Sequence, residues 1–134
     1  MAHEKTDTSK FTIVISSFGY KYGMIDNANL VFDVRGVPNP YYIESLREFT
    51  GNDKVIKDFV FANDVAQNLY HHLLECILYY IPFYVSNRKS DSLTIAIGCT
   101  GGKHRSVAFV NQLKDKLDEQ YIVDIVHRDI NQYE

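Results

Sequence analysis

The chain has 134 residues, of which 46% are hydrophobic and 13% aromatic, a composition typical of a folded domain and not of a disordered segment. This length predicts a single domain with one hydrophobic core. The formal net charge of -3 argues against a domain whose whole surface follows a nucleic-acid backbone, because such binding depends on many Lys and Arg contacts to phosphates.

The cysteine content and the start of the chain predict a cytoplasmic location. Two cysteines are present, Cys76 and Cys99, and the first residues lack the apolar run of a secretion signal. Free thiols are therefore expected, with no disulfide scaffold. We also expect no cofactor and no metal. A membrane partner is not expected either, because the densest apolar stretch, residues 69–85, is interrupted by His71, His72, Glu75 and Pro82.

The hydrophobic pattern predicts four strands and four helices in chain order. The strands are expected at Phe11–Gly19, Asn29–Arg35, Leu93–Cys99 and Tyr121–His127. The helices are expected at Tyr41–Phe49, Asp53–Phe61, Asn63–Tyr84 and Lys103–Gln120.

This order of elements predicts an α/β fold. The strand, helix and strand at the end of the chain imply a right-handed crossover and at least one parallel pair, while the pairing of the first two strands stays open. We therefore expect a small three-layer domain over residues 11–134, with a mostly parallel or mixed four-stranded sheet flanked by helices. Residues 1–10 are polar and are expected to form a flexible leader.

Spacing along the long helix predicts one buried face. Apolar and histidine side chains recur at steps of three and four residues, at Val65, Leu69, His72, Leu73, Cys76, Tyr80 and Tyr84. Of the pair His71 and His72, one is expected to face the core and one the solvent. No second cluster with ligand spacing accompanies them, so a metal site is not predicted.

A glycine-rich turn between a strand and a helix predicts an anion-binding loop. Glycine lets the backbone approach a ligand, while the amides and dipole of a helix start attract negative charge. Basic side chains there oppose the dipole unless an anion is bound, which favours function over the alternative of a tight turn with solvated charges. The predicted loop consists of Gly98, Cys99, Thr100, Gly101, Gly102, Lys103, His104, Arg105 and Ser106.

Polar residues also follow the first two strands. Ligands of open α/β sheets collect at the carboxyl ends of strands, so these side chains are candidates for the same cleft. An internal salt bridge between two of them, which would fix the Pro-Asn-Pro loop, is an equally weighted alternative. The candidates are Lys21, Tyr22, Asp33, Arg35 and Asn39.

Four motifs between residues 11 and 128 together resemble one known family. They are Phe18-Gly19-Tyr20-Lys21-Tyr22-Gly23, Phe32-Asp33-Val34-Arg35 with Pro38-Asn39-Pro40, Thr50-Gly51, and the run from Ile95 to Val107 that contains the glycine-rich turn. In this order they resemble the C-terminal domain of the RapZ/YvcJ family.

The resemblance implies a regulatory domain that binds a ligand. In that family an N-terminal nucleotide-binding domain with a Walker A loop precedes this domain, which in RapZ binds small RNAs, senses glucosamine-6-phosphate and acts as an adaptor toward RNase E. This sequence contains no G-x-x-x-x-G-K-[ST] run, so it predicts no ATP site of its own and leaves room for a separate nucleotide-binding partner. The resemblance also implies a homodimer. It places the amino-sugar phosphate site on Asp33, Arg35, Asn39, Thr100, Gly101, Gly102, His104 and Arg105.

Two departures from the family pattern bear on ligand and RNA. Tyr41-Tyr42 stands where the family commonly has His-Trp, which leaves the identity of the ligand open. The chain ends Asn-Gln-Tyr-Glu in place of the basic tail of RapZ, which weakens the expectation of RNA binding. We therefore expect a phosphorylated small molecule, or a phosphate or sulfate ion, as the main partner.

The same loop also permits an enzyme hypothesis. The pattern Cys99-x-x-Gly102-x-x-Arg105-Ser106 looks like the phosphate loop of cysteine-dependent phosphatases, with Cys99 as nucleophile, Arg105 as clamp and Asp33 or Asp26 as general acid. Those phosphatases usually have His before the Cys, where this chain has Gly98. The favoured alternative for Cys99 is a small buried residue at a strand end.

A third hypothesis is a protein-interaction module. It draws on the aromatic residues Tyr79, Tyr80, Phe83 and Tyr84, but packing of the long helix explains most of them. His127 and Arg128 are interpreted as surface residues, with a position at the border of the cleft as the alternative. The sequence thus favours a non-catalytic domain that binds a phosphorylated small molecule.

Overall fold

The computed structural model describes residues 11–87 and 91–132; the predicted leader, residues 1–10, lies outside them. The strands are β1 (Thr12–Gly19), β2 (Leu30–Asp33), β3 (Ser92–Cys99) and β4 (Ile122–His127). The α-helices are α1 (Lys54–Val60), α2 (Asp64–Ser86) and α3 (Arg105–Leu117). The α/β class predicted from the sequence is confirmed.

All strand pairs in the four-stranded sheet are parallel, in the order β2-β3-β1-β4. The first two strands of the chain therefore do not pair with each other, because β3 lies between them. In the register, Gly19 is opposite Cys99 and Asp33 is opposite Gly98. Parallel pairing thus brings the carboxyl ends of β1, β2 and β3 to one edge, as the location of the predicted site requires.

The three helices pack against one face of the sheet. Alternate residues of the two central strands, such as Ile13 and Ile95, join one buried cluster with residues from α1, α2 and α3. In α3, Phe109 contacts the ring of Phe61, which follows α1, at a centroid distance of 4.9 Å. Helix α3 begins at Arg105, shortly after β3 ends at Cys99, so its start lies at the same edge of the sheet as the end of β3.

The opposite face has a different cover. Phe18 and Tyr20 pack over Gly98 there, so closely that a β-carbon on Gly98 would lie 2.4 and 2.6 Å from their ring atoms. Right-handed crossover from β1 to β2 requires residues 20–29 to pass over this face. The third layer of the predicted domain is therefore a connection without an α-helix.

The buried face of α2 differs from the predicted one. The structure buries Ala66, Tyr70, Leu73, Ile77 and Ile81. Of the predicted face, Leu73 is buried, whereas Val65, His72 and Tyr80 are exposed; His71 is exposed too, so the prediction that one histidine of the pair faces the core is wrong. Apolar residues occur around most of this helix, so their spacing does not select one face. Within the described residues, no helix has the length and hydropathy to cross a bilayer.

The predicted helix at Tyr41–Phe49 is absent. Two 3-10 turns, Pro40–Tyr42 and Glu44–Leu46, occupy the segment, and Ile43 between them is extended. A nine-residue helix is marginal without tertiary support, and short 3-10 turns satisfy the same backbone groups locally. The helix predicted from Lys103 begins two residues later, at Arg105.

Candidate anion-binding site

The turn from β3 to α3 lies at the carboxyl edge of the sheet. Thr100 is exposed, whereas Gly101 and Gly102 are buried. Helix α3 begins at Arg105 with no side-chain cap and no acidic residue in its first turn. The first amides of a helix have no intrahelical acceptor, so this end of α3 carries donors and partial positive charge.

Close packing explains the glycines of this turn. A β-carbon on Gly19 would lie 2.4 Å from the carbonyl carbon of Gly101 and 2.8 Å from the nitrogen of Gly102. Gly102 itself has a φ of 75°, in the left-handed region that favours glycine. The end of β1 and the turn therefore cross with no room for side chains.

Arg105 is the buried cation of the site, with 4% of its surface exposed. Its Nη1 donates to the carbonyl oxygens of Arg35 (2.8 Å) and Val37 (3.2 Å), and its Nη2 donates to Oγ1 of Thr100 (3.3 Å). Its Nε has no hydrogen-bond partner among the described residues, and none of their carboxylates lies within ion-pair distance. Arg105 thus joins the turn to the segment after β2 through neutral hydrogen-bond acceptors, while its charge acts on the Asp33 carboxylate from beyond ion-pair distance and helps to lower the pKa of Asp33.

Asp33 and Arg35 form the internal salt bridge that was one of the two interpretations of this pair. Arg35 donates from Nε (3.0 Å) and Nη2 (2.9 Å) to the two carboxylate oxygens, and both side chains are 47% exposed. The Arg35 guanidinium also stacks on the ring of Tyr20 at 3.8 Å. The hydrogen bond from Arg35 lowers the pKa of Asp33, while burial and the Asp33 charge raise the pKa of Tyr20. Because both side chains are about half exposed, the pair remains accessible from the solvent.

The remaining predicted ligand residues contribute to the site to different degrees. The amide of Lys21 donates to the carbonyl of Thr100 (3.2 Å), while its side chain is exposed. Lys103 donates from Nζ to the carbonyl oxygen of Arg47 (2.8 Å). Asn39 accepts from the amide of the second residue after it, so its Oδ1 is used locally as a turn cap.

Cys99, His104 and Ser106 lie on the buried side of the turn. Cys99 is 2% exposed and belongs to the hydrophobic cluster. Its Sγ accepts from the amide of Gly102 (3.3 Å) and donates to Oγ of Ser106 (3.2 Å). Of the two proposed general acids, Asp33 is paired with Arg35 and Asp26 lies exposed in the connection between β1 and β2. This geometry favours the interpretation of Cys99 as a buried strand-end residue.

Two neighbours of the turn were not among the predicted site residues. Gly51 packs on the first turn of α3, and its amide donates to the carbonyl of Lys103 (2.9 Å). Asp129, just after β4, is 3% exposed and accepts from the amide of Gly19 (2.8 Å). The rule that ligands and their supports collect at strand ends would have found Asp129, because β4 ends two residues earlier.

Arg128 is exposed, as predicted for a surface residue, whereas His127, at the end of β4, is half-buried. Its Nε2 is 3.1 Å from Oδ1 of Asn111 and its Nδ1 is 2.7 Å from Oγ of Ser17. An amide oxygen only accepts, so Nε2 carries the proton and Nδ1 accepts from the hydroxyl. Burial lowers the pKa of His127, in keeping with a neutral ring.

The described residues contain no group of three or more His, Cys, Asp or Glu side chains that could hold a metal ion. A groove of about 430 Å³ lies on the helix side instead. Its walls carry charges of both signs, and none of the predicted site residues contributes to it. The lining residues are Lys57, Tyr70, His71, Leu74, Gln112, Asp115, Lys116 and Glu119.

Comparisons with known proteins identify the family. The RapZ C-terminal domain family matches residues 11–131. Nucleotide-binding proteins of Lactobacillus delbrueckii subsp. bulgaricus, Lactobacillus acidophilus and Caldanaerobacter subterraneus subsp. tengcongensis are 51%, 50% and 52% identical to this chain. The alignments cover 92%, 92% and 90% of this chain but 42% of each relative, so the chain spans about two fifths of the length of the curated relatives it matches. The resemblance carried by the four motifs is confirmed: the chain belongs to the RapZ C-terminal domain family.

Proposed function

We propose that this domain binds a phosphorylated small molecule, with the phosphate on the turn between β3 and α3. The observation that carries the proposal is the buried charge of Arg105, which has neutral hydrogen-bond acceptors and, in the described part of the chain, no carboxylate within ion-pair distance. The carboxylate whose charge it senses, Asp33, is already paired with Arg35. A buried charge is costly unless an opposite charge compensates it. A phosphate at the uncapped start of α3 supplies that compensation.

Thr100 connects Arg105 to the solvent. Its Oγ1 accepts from Arg105 Nη2, and a threonine hydroxyl also has one hydrogen to donate. Because Thr100 is exposed, its hydroxyl donates to a phosphate oxygen while Arg105 behind it stabilises the negative charge. The amides that open α3 supply further donors to the same phosphate.

The pair Asp33 and Arg35 supplies the polar contacts for the rest of the ligand. Arg105 donates to the carbonyl of Arg35, so the pair lies beside the turn. The exposed edge of Asp33 accepts from hydroxyl or ammonium groups of a sugar, and Arg35 adds a second cation. Glucosamine-6-phosphate, the compound that the resemblance implies, has both a phosphate and an ammonium group, and it is the ligand we test first.

A binding role fits Cys99 better than catalysis. Its thiol lies inside the hydrophobic cluster and donates to Ser106, whereas a nucleophile needs access to the substrate. RNA binding, homodimer formation and a separate nucleotide-binding partner stay predictions of the resemblance. We therefore infer a ligand-binding regulatory domain.

The proposal is tested by thermal unfolding and calorimetry with glucosamine-6-phosphate, glucose-6-phosphate, inorganic phosphate and unphosphorylated glucosamine. A ligand at 100 times its dissociation constant stabilises the folded state by about 2.7 kcal/mol. We expect stabilisation by the phosphorylated sugars, none by glucosamine, and weaker binding in Thr100→Val. Thr94→Val, at the other end of β3, is the matched control and should bind like the unaltered chain. Absence of any shift with all phosphorylated compounds contradicts the proposal, as does unchanged affinity in Thr100→Val.

A further inference from the structure

We propose that Asp129 is a positioning residue of the anion loop and that Arg128 neutralises it there. The inference rests on the proposed phosphate site and adds to it a residue from the far end of the chain. Asp129 is the one buried carboxylate of the described residues, and its Cβ lies beside Gly102.

Asp129 contacts the end of β1. Oδ2 of Asp129 accepts from the amide of Gly19 at 2.8 Å, and this hydrogen bond is buried. A β-carbon on Gly102 would lie 2.5 Å from the nitrogen of Gly19 and 3.0 Å from Cβ of Asp129. The carboxylate therefore holds the Gly19 amide, and the Gly19 nitrogen and Cβ of Asp129 both border the position that a Gly102 side chain would occupy, so a shift of Asp129 is transmitted to the turn.

The negative charge of Asp129 is compensated by its neighbour Arg128. A carboxylate next to an anion site repels the ligand unless a cation compensates it. Arg128 provides this compensation, with Nε 3.1 Å from both carboxylate oxygens and Nη2 2.8 Å from Oδ2. The same guanidinium donates to the carbonyl oxygens of Tyr22 and Gly23 in the turn after β1. Arg128 thus binds the turn after β1 and, at the same time, compensates the charge of Asp129.

Geometry and charge have separable consequences. Asp129→Asn keeps an oxygen that accepts from Gly19 and removes the charge, whereas Asp129→Ala removes both. If position matters, the Asn variant binds phosphate at least as tightly as the unaltered chain. The Ala variant binds about tenfold more weakly, the lower end of what losing an orienting partner costs at metal sites. Arg128→Gln leaves the carboxylate uncompensated, so its affinity falls more for the phosphate dianion than for the monoanion.

The experiment combines calorimetry with glucose-6-phosphate, in which the phosphate is the group that titrates in this range, at pH 5.5 and 7.5, which brackets the second phosphate pKa of about 6, and amide NMR of Gly19 and Gly102 without ligand. Asp124→Asn is the control, because it removes an exposed carboxylate from β4, the strand that precedes Asp129, away from the turn. We expect altered shifts and faster exchange of the Gly102 amide in Asp129→Ala but not in Asp129→Asn or Asp124→Asn.

The two proposals fail separately. If the unaltered chain binds no phosphorylated compound, the proposed function is wrong, while the ligand-free NMR comparison still decides whether Asp129 positions the turn. Equal Gly102 shifts and exchange in the Ala and Asn variants overturn the inference. So does binding in which Asp129→Ala matches Asp129→Asn or Arg128→Gln weakens monoanion and dianion alike.

Discussion

Gly19→Ala tests the crossing of β1 with the anion loop. Its β-carbon would lie 2.4 Å from the carbonyl carbon and 2.6 Å from the carbonyl oxygen of Gly101. Carbon atoms pack best at about 3.5–4.0 Å, so the turn must move by roughly 1 Å to accept the methyl group. The obstacle is buried backbone, which has no rotamer with which to yield.

The expected cost follows from these distances. Overpacking a buried position costs about 1–3 kcal/mol, and a backbone obstacle places Gly19→Ala at the upper end. The lower entropy of the unfolded alanine chain offsets about 0.4–1 kcal/mol, so the net loss of stability is about 2 kcal/mol. For a chain of this size each kcal/mol corresponds to roughly 4 °C, which predicts a fall in Tm of about 8 °C.

Gly36→Ala is the matched control for thermal unfolding followed by circular dichroism. A β-carbon on Gly36 would meet no heavy atom within 4 Å, and its φ lies outside the left-handed region. Its Tm should equal or slightly exceed that of the unaltered chain. Gly19→Ala should also weaken phosphate binding, because the turn has moved. A Tm for Gly19→Ala within 1 °C of that for Gly36→Ala would refute the reasoning.

Three further predictions concern the stability of the fold. Tyr70→Phe removes the hydrogen bond to the carbonyl of Gln112 (3.2 Å) and should lower the free energy of unfolding in urea by about 1 kcal/mol. The control is Tyr79→Phe, at a residue that is 77% exposed, and it should leave the free energy of unfolding unchanged. Asn63→Ala removes the cap of α2, which accepts from an amide of the first turn at 2.9 Å, and should cost about 1 kcal/mol in the same assay; an equal midpoint would contradict this. Burial lowers the pKa of His127 below 6.5, so its share of stability is complete above pH 6.5 and declines as pH falls toward the folded-state pKa. His127→Gln should flatten Tm between pH 5 and 7, and an unchanged slope would show that another group titrates.

The strands and the position of the anion loop could be predicted because their signals are local. The apolar run that forms β3 is followed at once by Gly101 and Gly102, so strand, turn and helix are read from adjacent residues. The sequence also offers the pairing of Asp33 with Arg35 as one of two interpretations, because the two residues are close in sequence. Local chemistry thus predicted most of the elements that carry the site.

The contacts that shape the site could not be predicted in this way. Gly19 and Gly101 are 82 residues apart, and neither glycine reveals from its neighbours that it meets the other. Asp129 reaches Gly19 across 110 residues. The face of α2 and the turns at 40–46 also depend on tertiary packing, which overrides weak local propensity. Which groups become buried is a property of the whole fold.

The glycines and the cysteine of the anion loop have sufficient explanations in folding alone. Gly102 needs its left-handed φ and close contact with Gly19, and Cys99 fills the core. Arg105 differs, because two carbonyls and a hydroxyl satisfy hydrogen bonds without cancelling a charge. Asp33 senses this charge only from beyond ion-pair distance and is itself paired with Arg35, so a bound anion is the compensation that we propose for Arg105. The guanidinium of Arg105 is therefore the group that distinguishes a phosphate site from a folding motif, and Thr100 is its exposed contact, which can be changed without unfolding the domain.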